Sequence, residues 1–114
     1  MNTGPQALIV IGTAVTFAAG ARIAELALAH HLPACYPFRD TVVAGGLVSL
    51  SPDFDATARR GADYVSKIVK GAKPSELPVE QPTGYALHIN LKTAKALELE
   101  MPPTLLARAD EVIE

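Results

Sequence analysis

Tryptophan is absent from this 114-residue sequence, cysteine occurs once, and the aromatics are three Tyr and three Phe. The single thiol, Cys35, excludes an internal disulfide and leaves the redox compartment unread. His30 and His31 stand near it, yet no second cysteine or acidic cluster adjoins. A zinc site needs about four ligands, so no metal and no cofactor are expected. Basic residues are also sparse. Ten Lys+Arg oppose twelve Asp+Glu, for a formal net charge of -2. No basic run exists, which removes the electrostatic footprint of a nucleic-acid surface. The first 21 residues hold no charge, so the apolar opening lacks the positive segment of a secretory signal. Gly12, Thr13 and Thr16 interrupt it. Arg22 and Glu25 come too early for a membrane span of ~20 apolar residues. A Lys-containing phosphate loop, a G-x-S-x-G elbow and an H-E-x-x-H pair are all missing. No catalytic residue is therefore expected, and the chain reads as a non-enzyme.

What is present is aliphatic: 49% of residues are hydrophobic and 19% charged, a globular composition. The length fits one domain, residues 1–114, with a core of its own. Ala7–Ile11 predicts a short buried strand, Gly12–Thr16 a loop, and a helix runs from Thr16 or Phe17 to His31. Thr16 is its expected cap, and Ile23, Leu26, Ala27 and His30 its inner stripe. Prolines bound a strand at Ala34–Tyr36. Phe38–Ala44 is a connector with room for one helical turn, and Leu47–Leu50 is a third strand after Gly45-Gly46.

Ser51-Pro52-Asp53 carries the composition of a helix start. Phe54, Ala58, Gly61, Ala62, Val65, Ile68 and Val69 then recur on one face. Arg59, Asp63 and Lys67 step by four on the other, a spacing that predicts ion pairing. Gly71 is the expected stop. Pro74, Pro78 and Pro82 make Ala72–Pro82 an extended connector in which Glu76 and Glu80 are solvated. Tyr85–Asn90 predicts a strand, Leu91–Leu99 a helix, and Thr104–Ile113 a terminal helix capped by Thr104. The order β-α-β-β-α-β-α-α predicts an α/β layer: a mostly parallel sheet flanked by helices.

In such sheets ligands sit beyond the carboxyl ends of strands, where helices begin. Two loops satisfy that rule, Gly12–Thr16 and Ser49–Pro52. Both also read simply as helix caps. Arg39, after the second strand, is suited to a carboxylate ligand or to a plain surface position. His88 and Cys35 lie in strands and read as structural.

Three stretches carry a resemblance: the proline-rich run Gly71–Thr83, the segment Ile89–Leu97, and the ending Pro102–Ile113. Ala7–Gly12, Arg22–Ala27, Leu32–Ala34 and Ala44–Leu47 fit in order upstream. Together they resemble the C-terminal third of ABC-transporter substrate-binding proteins of the tryptophan/tyrosine uptake type. That resemblance implies one lobe of a type I periplasmic binding protein fold. It implies a longer, periplasmic parent with two lobes joined by hinge crossings and a small solute, an amino acid or similar, held between them. It also implies an ABC permease as the parent's partner. Carried over by position, Thr13, Ala14 and Val15, then Phe38 and Arg39, then Ser49 and Leu50 face the interlobe cleft. Family members often have an acidic residue where Val43 stands, an aromatic where Leu50 stands, and Gly where Ser51 and Glu98 stand. The missing aromatic counts against aromatic-solute recognition. A lone lobe exposes sheet edges or apolar surface, which predicts a symmetric homodimer. The alternative is a stand-alone structural or interaction domain that has lost solute binding.

Overall fold

A computed structural model describes residues 4–114; the first three residues of the uncharged opening lie outside it. Tertiary contacts group the chain into two units. One comprises the residues up to Ser51 together with Ala86–Glu114; the other is Pro52–Tyr85.

The first unit is built on a five-stranded sheet in the order β1-β2-β3-β4-β5. Its strands are β1 (Leu8–Ile9), β2 (Ala34–Tyr36), β3 (Val48–Pro52), β4 (Tyr85–Asn90) and β5 (Glu111–Ile113). The β1–β2, β2–β3 and β4–β5 pairs are parallel. The remaining pair runs antiparallel. Asn90 N–H donates to Leu47 O, while His88, two residues earlier, lies beside Ser49, two residues later. The sheet is thus mostly parallel and flanked by helices, as the alternation of elements predicts.

The N-terminal helices depart from the sequence reading. The loop expected at Gly12–Thr16 is already helical from Ala14, because Thr13 and Thr16 cap each other. Thr13 Oγ1 accepts from Thr16 N–H at 3.1 Å, and Thr16 Oγ1 accepts from Thr13 N–H at 2.8 Å. That reciprocal box satisfies two orphan donors of the first turn. Helix α1 (Ala14–Ala18) stops at Ala19, and α2 (Gly20–Ala29) resumes. The buried stripe of α2 is Gly20, Ala24 and Ala27, whereas Leu26 is exposed. Small residues face inward, so the helix can lie close to the sheet. The core there is Ala24, Ala27, Ala34 and Tyr36, with Leu8, Val10 and Ile23 packed against it.

Helix α3 (Arg39–Val43) supplies the single turn expected between β2 and β3. Gly46 follows it because nothing larger fits: a Cβ there would meet the Tyr36 ring at 2.8 Å and Thr41 O at 2.9 Å. Asn90 joins α3 to the C-terminal part, donating to Val42 O and capping α5 (Leu91–Ala96) through Thr93 N–H. The helix expected over Thr104–Ile113 is overturned. Only Pro103–Leu106 is helical (α6), and Glu111–Ile113 is the edge strand β5. Two bonds pin its start: Asp110 N–H donates to Leu87 O, and Leu87 N–H donates to the Asp110 carboxylate at 2.7 Å. Local propensity favoured a helix; cross-strand pairing outweighed it.

The second unit holds helix α4 (Phe54–Val69), a 3-10 turn at Pro74–Glu76 and the proline-rich segment. Ser51 and Pro52 end β3 instead of opening the helix, and Asp53 is the cap, accepting from Ala56 N–H at 3.0 Å. Lys70 and Gly71 close α4 as expected. Gly71, at φ +111°, donates to Ile68 O, and Ala72 N–H donates to Lys67 O. This is the double bond pattern of a left-handed helix stop. The charge pairing is not the expected Arg59–Asp63–Lys67 ladder. Arg60 is the hub: it lies 3.6 Å from Asp63 and grips Glu80 with two bonds of 2.7 and 2.5 Å. Tyr64 O–H donates to Pro78 O at 2.5 Å. Glu80, read as a solvated loop residue, therefore straps the proline-rich segment to α4. No residue of α4 is buried, and Val65 and Val69 are 61% and 81% exposed.

Candidate functional site

The carboxyl edge of the sheet gathers the sequence-predicted residues. Parallel pairing of β1, β2 and β3 aligns their ends: Ile9 lies opposite Cys35, and Tyr36 opposite Ser49. Each strand hands over there to a helix or turn. Thr13, Ala14 and Val15 open α1 and are exposed. Gly12 backs onto Pro37 and Phe38, with the nearest approach for a built Cβ at 3.2 Å. Phe38 meets Phe17 edge to face, with ring centroids 5.0 Å apart. This aromatic contact ties α1 to the turn that starts α3. Leu50 continues past the β2–β3 register and is 57% exposed.

Two predicted residues have their polar groups engaged within the fold. Ser49 is fully buried, and its Oγ lies 3.0 Å from His88 Nδ1. Arg39 sits in front of Glu111: Nε and Nη2 bond the two carboxylate oxygens at 2.5 and 2.7 Å. Such fork-to-fork pairing fixes orientation as well as charge. It holds the Glu111 carboxyl below its usual range, chiefly through the Arg39 hydrogen bonds, with His88 adding a small favourable charge effect. The Arg39 guanidinium is correspondingly raised, first by the Glu111 bonds and then by its charge, with a smaller share from Asp40.

Tyr36, Ser49, His88 and Glu111 therefore form a cross-strand row from β2 to β5. Burial raises the Tyr36 phenol. His88, read from the sequence as structural, is buried against Ser49, while Asp110 and Glu111 are the neighbours of this edge that sequence reasoning missed. The signal for Glu111 was the β-branched pair Val112-Ile113 after an aspartate, a strand cue hidden inside an apparent helix. The His88–Ser49 pair had no local signal.

A cavity of about 700 Å³ lies within the second unit between α4 and residues 80–84. Arg60, Tyr64 and Glu80 line it, and none of the sequence-predicted residues does. Within it Arg60 and Glu80 are paired with each other, and Tyr64 donates to Pro78 O. No helix among the described residues is long and apolar enough to cross a membrane.

A mostly parallel sheet with helix starts gathered at its carboxyl edge defines the class: a periplasmic-binding-protein-like α/β lobe. The chain belongs to the ABC transporter substrate binding protein family, whose profile matches residues 2–113. A conserved domain protein from Vibrio cholerae superposes with a TM-score of 0.85 at 26% identity, covering 94% of this chain and 36% of that one. The ABC domain of a Streptococcus pneumoniae protein in complex with L-Trp gives 0.86 at 24%, covering 95% and 37%. A ligand-free, open substrate binding protein with adhesive properties from Clostridium difficile gives 0.69 at 19%, covering 94% and 36%. The latter two likenesses speak to the fold alone. The chain spans little more than a third of the length of these solved relatives. No curated protein matches it by sequence.

Proposed function

We propose that the carboxyl edge of this sheet is one wall of the solute cleft in the binding component of an ABC importer. The solute is small, an amino acid or a similar compound. The observation that carries this is the convergence of Thr13–Val15, Phe38–Arg39 and Leu50 at one sheet edge in a chain of this family. Ligand pockets bury most of a small molecule's surface, so one wall supplies only part of the affinity. In this reading the rest of a longer extracytoplasmic parent supplies the opposing wall, and an ABC permease receives the solute. The exposed apolar side of α4 favours a second reading, a structural or interaction domain that binds no solute.

Thermal-shift screening against amino acids, small carboxylates and L-Trp separates the two readings. Binding to the folded state stabilises by RT ln(1 + [L]/Kd), about 2.7 kcal/mol at a hundredfold excess over Kd, or roughly 10 °C for a domain of this size. The transport reading expects such a shift for one compound class and its loss in Thr13→Val and Leu50→Asp. Silence across the panel favours the interaction domain.

A further inference from the structure

Arg39 is the cation that the sequence offers to a ligand at this edge, and the fold has already filled it. Its Nε and Nη2 face both oxygens of Glu111, 72 residues away on β5. The pair is only half-withdrawn from solvent: the two side chains are 50% and 36% exposed. A solute reaching this edge therefore meets Arg39 together with its counter-ion. Asp40 adds a further negative charge beside the guanidinium.

We infer that Glu111 sets the charge preference of the carboxyl edge, withholding Arg39 from anionic solutes and leaving its outer N–H donors to neutral acceptors. The inference rests on the solute-binding reading above and deepens it. Three physical points support it. A carboxylate mounted on a paired strand is pre-positioned, so it competes with a free anion without a translational entropy cost. Its planar, bidentate match to the guanidinium uses the same two donors that a ligand carboxylate or phosphate would take. An entering anion would also leave Glu111 without its Arg39 hydrogen bonds and facing the new negative charge, and like charges brought together are unfavourable. The depressed Glu111 titration is consistent with a pair that stays closed at neutral pH. His88, its neighbour in the strand register, has its Nδ1 3.0 Å from Ser49 Oγ, so the bidentate partner of Glu111 is Arg39.

The test follows the Arg39 Nε–H resonance during titration with sodium acetate at constant ionic strength. The wild-type chain should show no saturable response. Glu111→Gln should bind acetate saturably over the range in which wild type does not, and the Arg39→Gln/Glu111→Gln double variant should lose that response. Glu111→Asp, which shortens the side chain while keeping the charge, is the second variant if the glutamine form fails to fold; it should respond more weakly but still saturably. Wild type responding as well as the variants overturns the inference, as does a lack of response in both. The solute screen is read separately: a wild-type chain that no solute stabilises favours the interaction domain, while the acetate result still decides what Glu111 does to Arg39.

Discussion

Ser49 and His88 show at the residue scale how a hydroxyl suited to a ligand becomes part of the framework. Ser49 has no exposed surface, and its partner is a histidine 39 residues away. Ser49→Ala leaves the buried His88 nitrogen without that partner. The expected loss is about 1–3 kcal/mol, read from the urea midpoint. Glu80 makes a different point. The Arg60 hydrogen bonds pull its carboxyl down to about 2, with Tyr64 helping. Because the folded value lies below the unfolded one, the unfolded state binds the extra proton first as pH falls. This contribution is present above pH 4.5 and is lost between pH 4.5 and about 2. Arg60→Ala should move the Glu80 midpoint up towards its ordinary value and flatten this acid dependence. Carboxylate titration by NMR measures the midpoint directly.

At the scale of elements, helix ends decide more than helix interiors. Two helices stop on non-glycine residues in the left-handed region, His31 at φ +50° and Glu98 at φ +57°. At Glu98 the bonds Glu98 N–H to Lys95 O and Leu99 N–H to Ala94 O form the same stop that Gly71 makes for α4. The resemblance noted glycine at this position in related proteins, and the backbone supplies the reason. Glu98→Gly should stabilise by about 1 kcal/mol, since only glycine takes that conformation without a Cβ penalty. The opposite holds at Gly46, where the Tyr36 ring and Thr41 carbonyl leave no room. Gly46→Ala should cost about 1–3 kcal/mol through overpacking. Thermal or urea unfolding checks both substitutions.

For the whole molecule, the unburied α4 is the decisive observation. A 16-residue amphipathic helix with no buried residue has apolar surface that water solvates poorly. The edge strand β1 adds exposed Ile9. A chain with these features should self-associate, with a symmetric dimer as the simplest closed form. Sedimentation at micromolar concentration should show the dimer. Val65→Lys with Val69→Lys should weaken association about tenfold or more if α4 carries it. A well-behaved wild-type monomer would sink the dimer.

Strong local signals made part of this legible without coordinates. Prolines at 33 and 37 bounded β2, the proline-rich run excluded a helix, and Gly71 ended α4 where a left-handed residue was required. The family was legible in those same stretches, and so was the alternation that led to a mostly parallel sheet. Helix starts were misplaced at Thr16 and Ser51 because several neighbouring hydroxyls and acids can cap, and only the reciprocal bond geometry selects one. The last strand, the antiparallel run of β4, the Ser49–His88 pair and the Arg39–Glu111 pair were decided by tertiary structure. Periodicity along the chain reports which face of an element is apolar. It does not report which sheet edges meet, and these contacts between distant residues exist only once the strands are side by side.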